Sequence, residues 1–247
     1  AMHCCTATRT LLRLSNSAAC ALGHIELQEI AMPNLTTLDT AQLIALAAAL
    51  GWASGIRLYA VLFITGLAGT LGWLPIPEGL KLLSHPAMLG ASGFMLAIEF
   101  FADKIPLVDS MWDTLQTVVR IPAGAALAAG AISSVTGADF GVDNNVMTMV
   151  AALLGGTLAA TSHATKMTTR AAINTSPEPF SNIAMSLVED GLVVGALWLA
   201  TNHPLLFAAA LAVVLVLSVV LIVVLVKFLK AVLRRISGFF AGRPASA

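Results

Sequence analysis

Ionisable residues sit inside apolar runs of this chain. The stretch Gly90–Arg120 reads GASGFMLAIEFFADKIPLVDSMWDTLQTVVR: an apolar helix runs into Glu99 and Asp103, a short turn follows at Ile105–Pro106, and a second helix from near Ser110 carries Asp113 and Arg120. Such runs are long and apolar enough for a bilayer, yet a charge at the bilayer centre costs about 2.5–3.5 kcal/mol on insertion scales. These side chains must therefore face one another or a polar cavity. Composition points the same way. The 247 residues are 58% hydrophobic and only 11% charged, against roughly 25% charged in a soluble domain, and mean hydropathy is +0.89. The expected fold is all-α, a polytopic membrane helical bundle of about six transmembrane helices.

Several function classes are excluded. The net charge is +0 and no run interleaves Lys, Arg and aromatics, so nucleic acid is not a partner. The three cysteines, Cys4, Cys5 and Cys20, lie in the first twenty residues, which leaves no disulfide framework and no cysteine metal site in the apolar body. The loop with Asp139 and Asp143 lacks calcium-loop spacing, and no HExxH, GxSxG or Walker pattern is present. No metal or cofactor is expected, and an enzyme is not the favoured reading.

Residues 1–38 form an expected N-terminal extension without ordered structure, unlike the rest in composition. The transmembrane domain is expected over 39–235, followed by a basic tail at 236–247. Asp39 or Thr40 can cap a first helix from Ala41 to about Leu71, longer than the roughly 20 residues a bilayer requires. Gly51 and Gly55 have the small-xxx-small spacing that admits a neighbouring helix, or a break. Arg57 lies near the centre of that run, too deep to snorkel, and so calls for an ion pair or polar pocket.

Pro75, Pro77 and Pro86 make residues 72–86 a loop with one interfacial turn. The second span runs from Ala87 to about Lys104, with Glu99 and Asp103 one turn apart on one face. The third begins at Ser110, where Asp113 completes a capping box. Asp113, Thr117, Arg120 and Gly124 make its polar stripe, and Pro122 should kink it.

The fourth span, Val146 to about Ala172, carries two stripes: Thr157, Thr161 and Thr165, and His163, Lys166 and Arg170. Its late part is too polar for lipid, so either the helix leaves the bilayer near Ser162 or that face turns into protein. The fifth span holds Glu189 and Asp190 near its middle. The sixth, Pro204–Val226, has no internal charge, and Lys227, Lys230, Arg234, Arg235 and Arg243 follow. A lone intramembrane histidine such as His163 is more often a satisfied polar residue than a catalyst.

Six spans would put both termini on one side. With that side cytoplasmic, Lys104, Lys166, Arg170 and the basic tail lie inside and only Lys81 outside, a positive-inside pattern. Two echoes suggest a pair of inverted three-helix repeats, 39–135 and 146–235. AALG at Ala48–Gly51 recurs as ALLG at Ala152–Gly155, and FMLAIE at Phe94–Glu99 recurs as AMSLVE at Ala184–Glu189. In transporters built this way the site lies at the repeat interface near mid-membrane.

The segments ADKIPLVDSMWD (Ala102–Asp113), RIPAGA (Arg120–Ala125) and NTSPEPFSN (Asn174–Asn182) resemble motifs of a bacterial multi-pass membrane family defined only as a domain of unknown function. The resemblance runs from about Thr40 to Leu199. It implies a bacterial inner-membrane protein and supplies no substrate.

Three functions fit the residues. A small transporter or channel for an ion or proton would use a polar core of Glu99, Asp103, Asp113, Glu189 and Asp190 with Arg57 and Arg120, and His163, Lys166 and Arg170 in support. A lipid-handling protein would grip a phosphorylated headgroup with the same cations. A scaffold subunit, or a homo-oligomer, would pack through the small-residue faces. A closed, dry network favours the scaffold; a water-filled vestibule favours transport. In each case membrane lipids are the surrounding partner.

Overall fold

The computed structural model describes residues 38–105, 108–135, 137–175 and 179–240. The expected extension up to residue 37, with its three cysteines, and the tail from residue 241, with Arg243, lie outside the described residues. So does Pro106 of the expected turn. Among the described residues there are six α-helices and two short 3-10 turns, and no strand. The chain is a membrane-spanning helical bundle: five helices are long and apolar enough to cross a membrane, or six if a bent pair counts as one span.

Helix α1, Thr40–Thr70, is the centre around which the rest pack. Asp39 caps it, accepting from the Gln42 N–H while the Gln42 side chain accepts from the Asp39 N–H. The helix breaks at Arg57, whose φ of −143° and ψ of 87° leave the helical region. Leu46, Leu50, Ala53 and Val61 on its two arms are fully buried.

The contacts show that the second arm turns back. Helix α3, Val108–Ile132, lies antiparallel to the first arm: Gly124 sits against Gly51 and Ser54, and Arg120 Nη1 reaches the Gly55 carbonyl. Its C-terminal end therefore returns to the end where α1 begins, called the upper end here. There the Gly79 N–H donates to Ser133 Oγ (2.9 Å), and Ser84 Oγ donates to the Gly66 carbonyl on the second arm (3.2 Å). A straight helix would carry Gly66 about 13 Å below Arg57, at about 1.5 Å per residue, out of reach of that turn. Thus α1 enters, breaks near mid-depth and heads back.

This corrects the expectation of a single first crossing. Leu38 and the C-terminal end of α6 lie at opposite ends of the bundle, so the argument that six crossings bring both ends to one side does not hold. The physical reason is local. Gly55 leaves the backbone free at the break, and side chains from other helices then occupy the freed carbonyls.

Helix α2, Pro86–Ala102, descends beside the second arm, with Leu89 against Gly66 and Phe63 against Gly93. Helix α3 starts at Val108, before the expected cap at Ser110, and continues through Pro122. Helix α4, Asn144–Ile173, runs parallel to the first arm of α1: Gly155 meets Gly51, and Ser162 Oγ donates to the Trp52 carbonyl (2.6 Å). Helix α5, Pro179–Asn202, climbs antiparallel to it, ending where Gln42 Nε2 donates to the Thr201 carbonyl (2.8 Å). Helix α6, Pro204–Phe240, descends on the outside.

These directions correct the inverted repeat as drawn. The echo at Gly51 and Gly155 joins helices that run the same way, whereas that at Glu99 and Glu189 joins helices that run opposite ways. One inverted three-helix repeat cannot relate both pairs.

The fourth span does not leave the bundle at Ser162. Ser162, His163, Lys166 and Arg170 are buried against α1, α3 and α5. The threonine stripe faces out instead, and its hydroxyls are satisfied within the helix. Thr157 donates to the Leu153 carbonyl, Thr161 to that of Thr157 and Thr165 to that of Thr161.

Candidate functional site

The break in α1 creates the site. The last carbonyls of a helix lack backbone partners, and the helix dipole makes that end negative. Here they are met by cationic and polar groups from two other helices. Lys166 Nζ donates to the Ile56 carbonyl (3.1 Å), and Arg120 Nη1 approaches that of Gly55 (3.5 Å). Cations drawn to a buried helix end require counter-charges in turn, and the acidic residues supply them.

Arg57 itself reaches Asp103 (3.1 Å), Asp190 (3.0 Å) and, more distantly, Glu189 (3.8 Å), and it donates to the Ser186 hydroxyl. Arg120 bridges two carboxylates of neighbouring turns and helices: Nη2 to Glu99 Oε1 (2.5 Å) and Nη1 to Asp113 Oδ1 (2.8 Å). Lys166 lies between three, at 3.2 Å from Asp103, 3.3 Å from Asp113 and 3.3 Å from Glu189. Arg170 forms a two-pronged pair with Glu189, Nε to Oε1 (3.0 Å) and Nη2 to Oε2 (2.9 Å), the planar fork that Lys cannot offer. Its Nη1 donates to the Asp103 carbonyl (2.8 Å) and lies 3.7 Å from Asp109.

His163 closes the upper side of this network. Its Nδ1 is 3.2 Å from Arg120 Nη1, and its Nε2 is 2.8 Å from Thr117 Oγ1. A guanidinium can only donate, so Nδ1 accepts and the proton sits on Nε2. Thr117 Oγ1 then accepts a hydrogen bond from Nε2–H and donates its own hydroxyl hydrogen to the Asp113 carbonyl (3.1 Å). Nδ1 also lies 3.3 Å from the Gly55 carbonyl, a contact that an accepting nitrogen leaves without a hydrogen bond.

All of the site residues expected from the sequence are brought together: Arg57, Glu99, Asp103, Asp113, Arg120, His163, Lys166, Arg170, Glu189 and Asp190. All but Asp190 are buried; its side chain is 34% exposed. Arg120 stands midway along α3, about 18 Å from either end at about 1.5 Å per residue. The network thus reaches from mid-helix at Arg120 to the lower helix ends, where Asp103 follows α2, Asp109 stands in the first turn of α3 and Arg170 in the last turn of α4.

Sequence reasoning missed one carboxylate and its support. Asp109 is fully buried, accepts from the Ser110 N–H (2.6 Å) and from Asn174 Nδ2 (3.0 Å), and faces Arg170. Asn182 Nδ2 donates in turn to Asn174 Oδ1 (3.1 Å). Both lie in the motifs ADKIPLVDSMWD and NTSPEPFSN, whose unusual acid and amide content was the available signal. Asp113, read both as part of a capping box and as a member of the polar core, pairs with Arg120 and Lys166.

Lys104, past the end of α2, lies over the Phe100 ring (2.8 Å to the centroid) and donates to the Phe100 carbonyl. Burial first, and then the neighbouring Arg57 charge, holds its ammonium below the usual lysine pKa.

The fold and the buried network define the protein as a polytopic helical membrane protein with a charged interior. Residues 44–224 match the model of the family described as a domain of unknown function (DUF4126), and the chain belongs to that family. No curated protein and no solved structure matches it.

Proposed function

We propose that the protein is a small bacterial inner-membrane transporter whose acid and base residues at the α1 break carry an ion or a proton. The charge count supports this reading. Six carboxylates (Glu99, Asp103, Asp109, Asp113, Glu189, Asp190) face four cations (Arg57, Arg120, Lys166, Arg170), and five of the six are buried. A buried charge without a partner is far too costly to leave standing. Asp190 is partly exposed, so among the buried groups five carboxylates face four cations; the surplus of one negative charge calls for a bound proton or cation, and a site that must take up positive charge to be neutral is suited to moving it.

The orientation follows the same physical rule as before with a different outcome. Lys166 and Arg170 are buried in the network and do not count as loop charges. Lys104, Lys227, Lys230, Arg234 and Arg235 remain at the lower end, which is taken as cytoplasmic. The Thr40 end then faces the opposite side.

The lipid-handling alternative is disfavoured by saturation. Each of the four cations already lies within 3.3 Å of a carboxylate oxygen, which leaves no cation to grip a phosphate. A scaffold is the second reading, and closure of the network favours it, since only Asp190 is substantially exposed. Flux decides between them. Reconstituted in proteoliposomes, the protein should dissipate an imposed pH or cation gradient, and Glu99→Gln should abolish that flux. Absence of flux for wild type, with intact folding, would favour the scaffold.

A further inference from the structure

Resting on the transport reading, we infer that the ion moved is the proton and that Glu99 carries it. The six carboxylates are not equally provided for. Asp103 faces Arg57, Lys166 and Arg170; Glu189 faces the same three; Asp113 shares Arg120 and Lys166. Asp109 has Arg170 and two polar donors, the Ser110 N–H and Asn174 Nδ2. Asp190 has Arg57, and its partly exposed side chain has access beyond the network. Glu99 is fully buried, its one ion-pair partner among the described residues is Arg120, and it shares that guanidinium with Asp113.

The second oxygen of Glu99 tells the same story from hydrogen bonding. Oε2 is buried and has no hydrogen-bond partner among the described residues. A charged oxygen left bare costs more than a neutral hydroxyl left bare. With a proton on Oε2, the carboxyl is neutral while Oε1 still accepts from Arg120. Release breaks the Oε2–H bond and leaves a carboxylate that Arg120 neutralises; uptake reverses it. No other bond changes, and no electron is transferred. The facing groups from every packed element are Arg57 of α1, Asp103 after α2, Asp109, Asp113 and Arg120 of α3, His163, Lys166 and Arg170 of α4, and Glu189 and Asp190 of α5.

A metal cation fits this place poorly. Hard cations take about six or more oxygen ligands. Among the described residues the only buried carboxylate oxygens without a partner are Glu99 Oε2 and Asp113 Oδ2, and no three acidic, histidine or cysteine residues are grouped to hold a metal ion. A guanidinium bonded to both carboxylates would repel a metal cation and tolerate a proton on a carboxyl.

Three measurements on the full chain in lipid test this. Infrared spectra at neutral pH should show the carbonyl stretch of a protonated carboxyl, diminished in Glu99→Gln and retained in Asp190→Asn. A hydrophobic carbodiimide adds the O–H of a protonated carboxyl across its C=N bond, and mass spectrometry of wild type should place that adduct on Glu99. The second measurement needs no variant to fold. In proteoliposomes, proton flux should fall at least tenfold in Glu99→Gln and recover in part in Glu99→Asp. A carbonyl band unchanged by Glu99→Gln, or an adduct confined to other carboxylates, overturns the assignment to Glu99. Wild-type flux of sodium or potassium without protons overturns the proton and leaves transport standing. Absence of any flux overturns transport, and the assignment of a moved proton with it.

Discussion

The two halves of the bundle hold their helices together by opposite means. In the upper half α1, α3 and α4 meet through glycine and alanine: a Cβ built on Gly51 would lie 2.7 Å from Gly155 Cα, and one on Gly124 would lie 2.6 Å from Ala159 Cβ. At and below the break, α3 and α4 meet α2, α5 and the Arg57 side chain of α1 through ion pairs. Lipid gives no hydrophobic drive between helices, so close packing and polar contacts must do the work. Backbone packed on backbone has one solution. The charged half has several of similar quality, since Lys166 alone lies within 3.3 Å of three carboxylates. The upper half is thus built as a clamp, and the lower half is held by ion pairs in which single cations are shared among several carboxylates.

The largest effect should come from breaking the charged half at Arg120, the cation on which Glu99 depends. Arg120→Ala strips Glu99 and Asp113 of a common partner in a buried site and removes a donor to the Gly55 carbonyl. Removing one member of a buried pair costs about 3–5 kcal/mol. Thermal unfolding in detergent should show that loss. Adding Glu99→Gln to Arg120→Ala should restore part of it, because the carboxylate left bare is then gone. If the double variant is no more stable than Arg120→Ala, Glu99 does not depend on Arg120 as described.

The clamp can be broken by one methyl group. Gly51→Ala places a Cβ against the Gly155 backbone, which cannot rotate away as a side chain could. Overpacking of this kind costs about 1–3 kcal/mol. The same unfolding measurement should show it, with ion flux per folded molecule retained if the two halves act separately. A Gly51→Ala protein as stable as wild type would mean that α1 and α4 are not pressed together at this point.

Much of this contrast was legible in the sequence, and what was not has a physical cause. Charges at Arg57, Glu99, Arg120, Lys166 and Glu189 inside apolar runs required a shared interior, because lipid offers them nothing. Periodicity placed Gly51, Gly55, Gly124 and Gly155 on packing faces. The course of α1 was not legible. Its residues Thr40–Thr70 are apolar throughout, and hydropathy reports burial without direction, so a hairpin and a span read alike. The echoes around Gly51 and Gly155 misled for a related reason: small residues recur wherever helices touch, whichever way they run. Asp109 was passed over because it stands at a helix start, where an acid is expected as a cap. Its burial comes from Arg170 and Asn174, distant in sequence.

The smallest effect sharpens the comparison from the outside. Gly195 lies within α5 like the clamp glycines within their helices, yet a Cβ built on it meets nothing within 4 Å. Glycine in a helix interior is less favourable than alanine by about 0.5–1 kcal/mol, because it gives up more backbone freedom. Gly195→Ala should therefore raise stability slightly, by up to about 1 kcal/mol, where Gly51→Ala lowers it. The two substitutions are chemically identical and differ only in what the new methyl touches. Opposite signs in one unfolding assay would tie the upper half's stability to backbone contact. Two losses of equal size would show instead that the Gly195 face is covered, by a second copy of the chain or another protein.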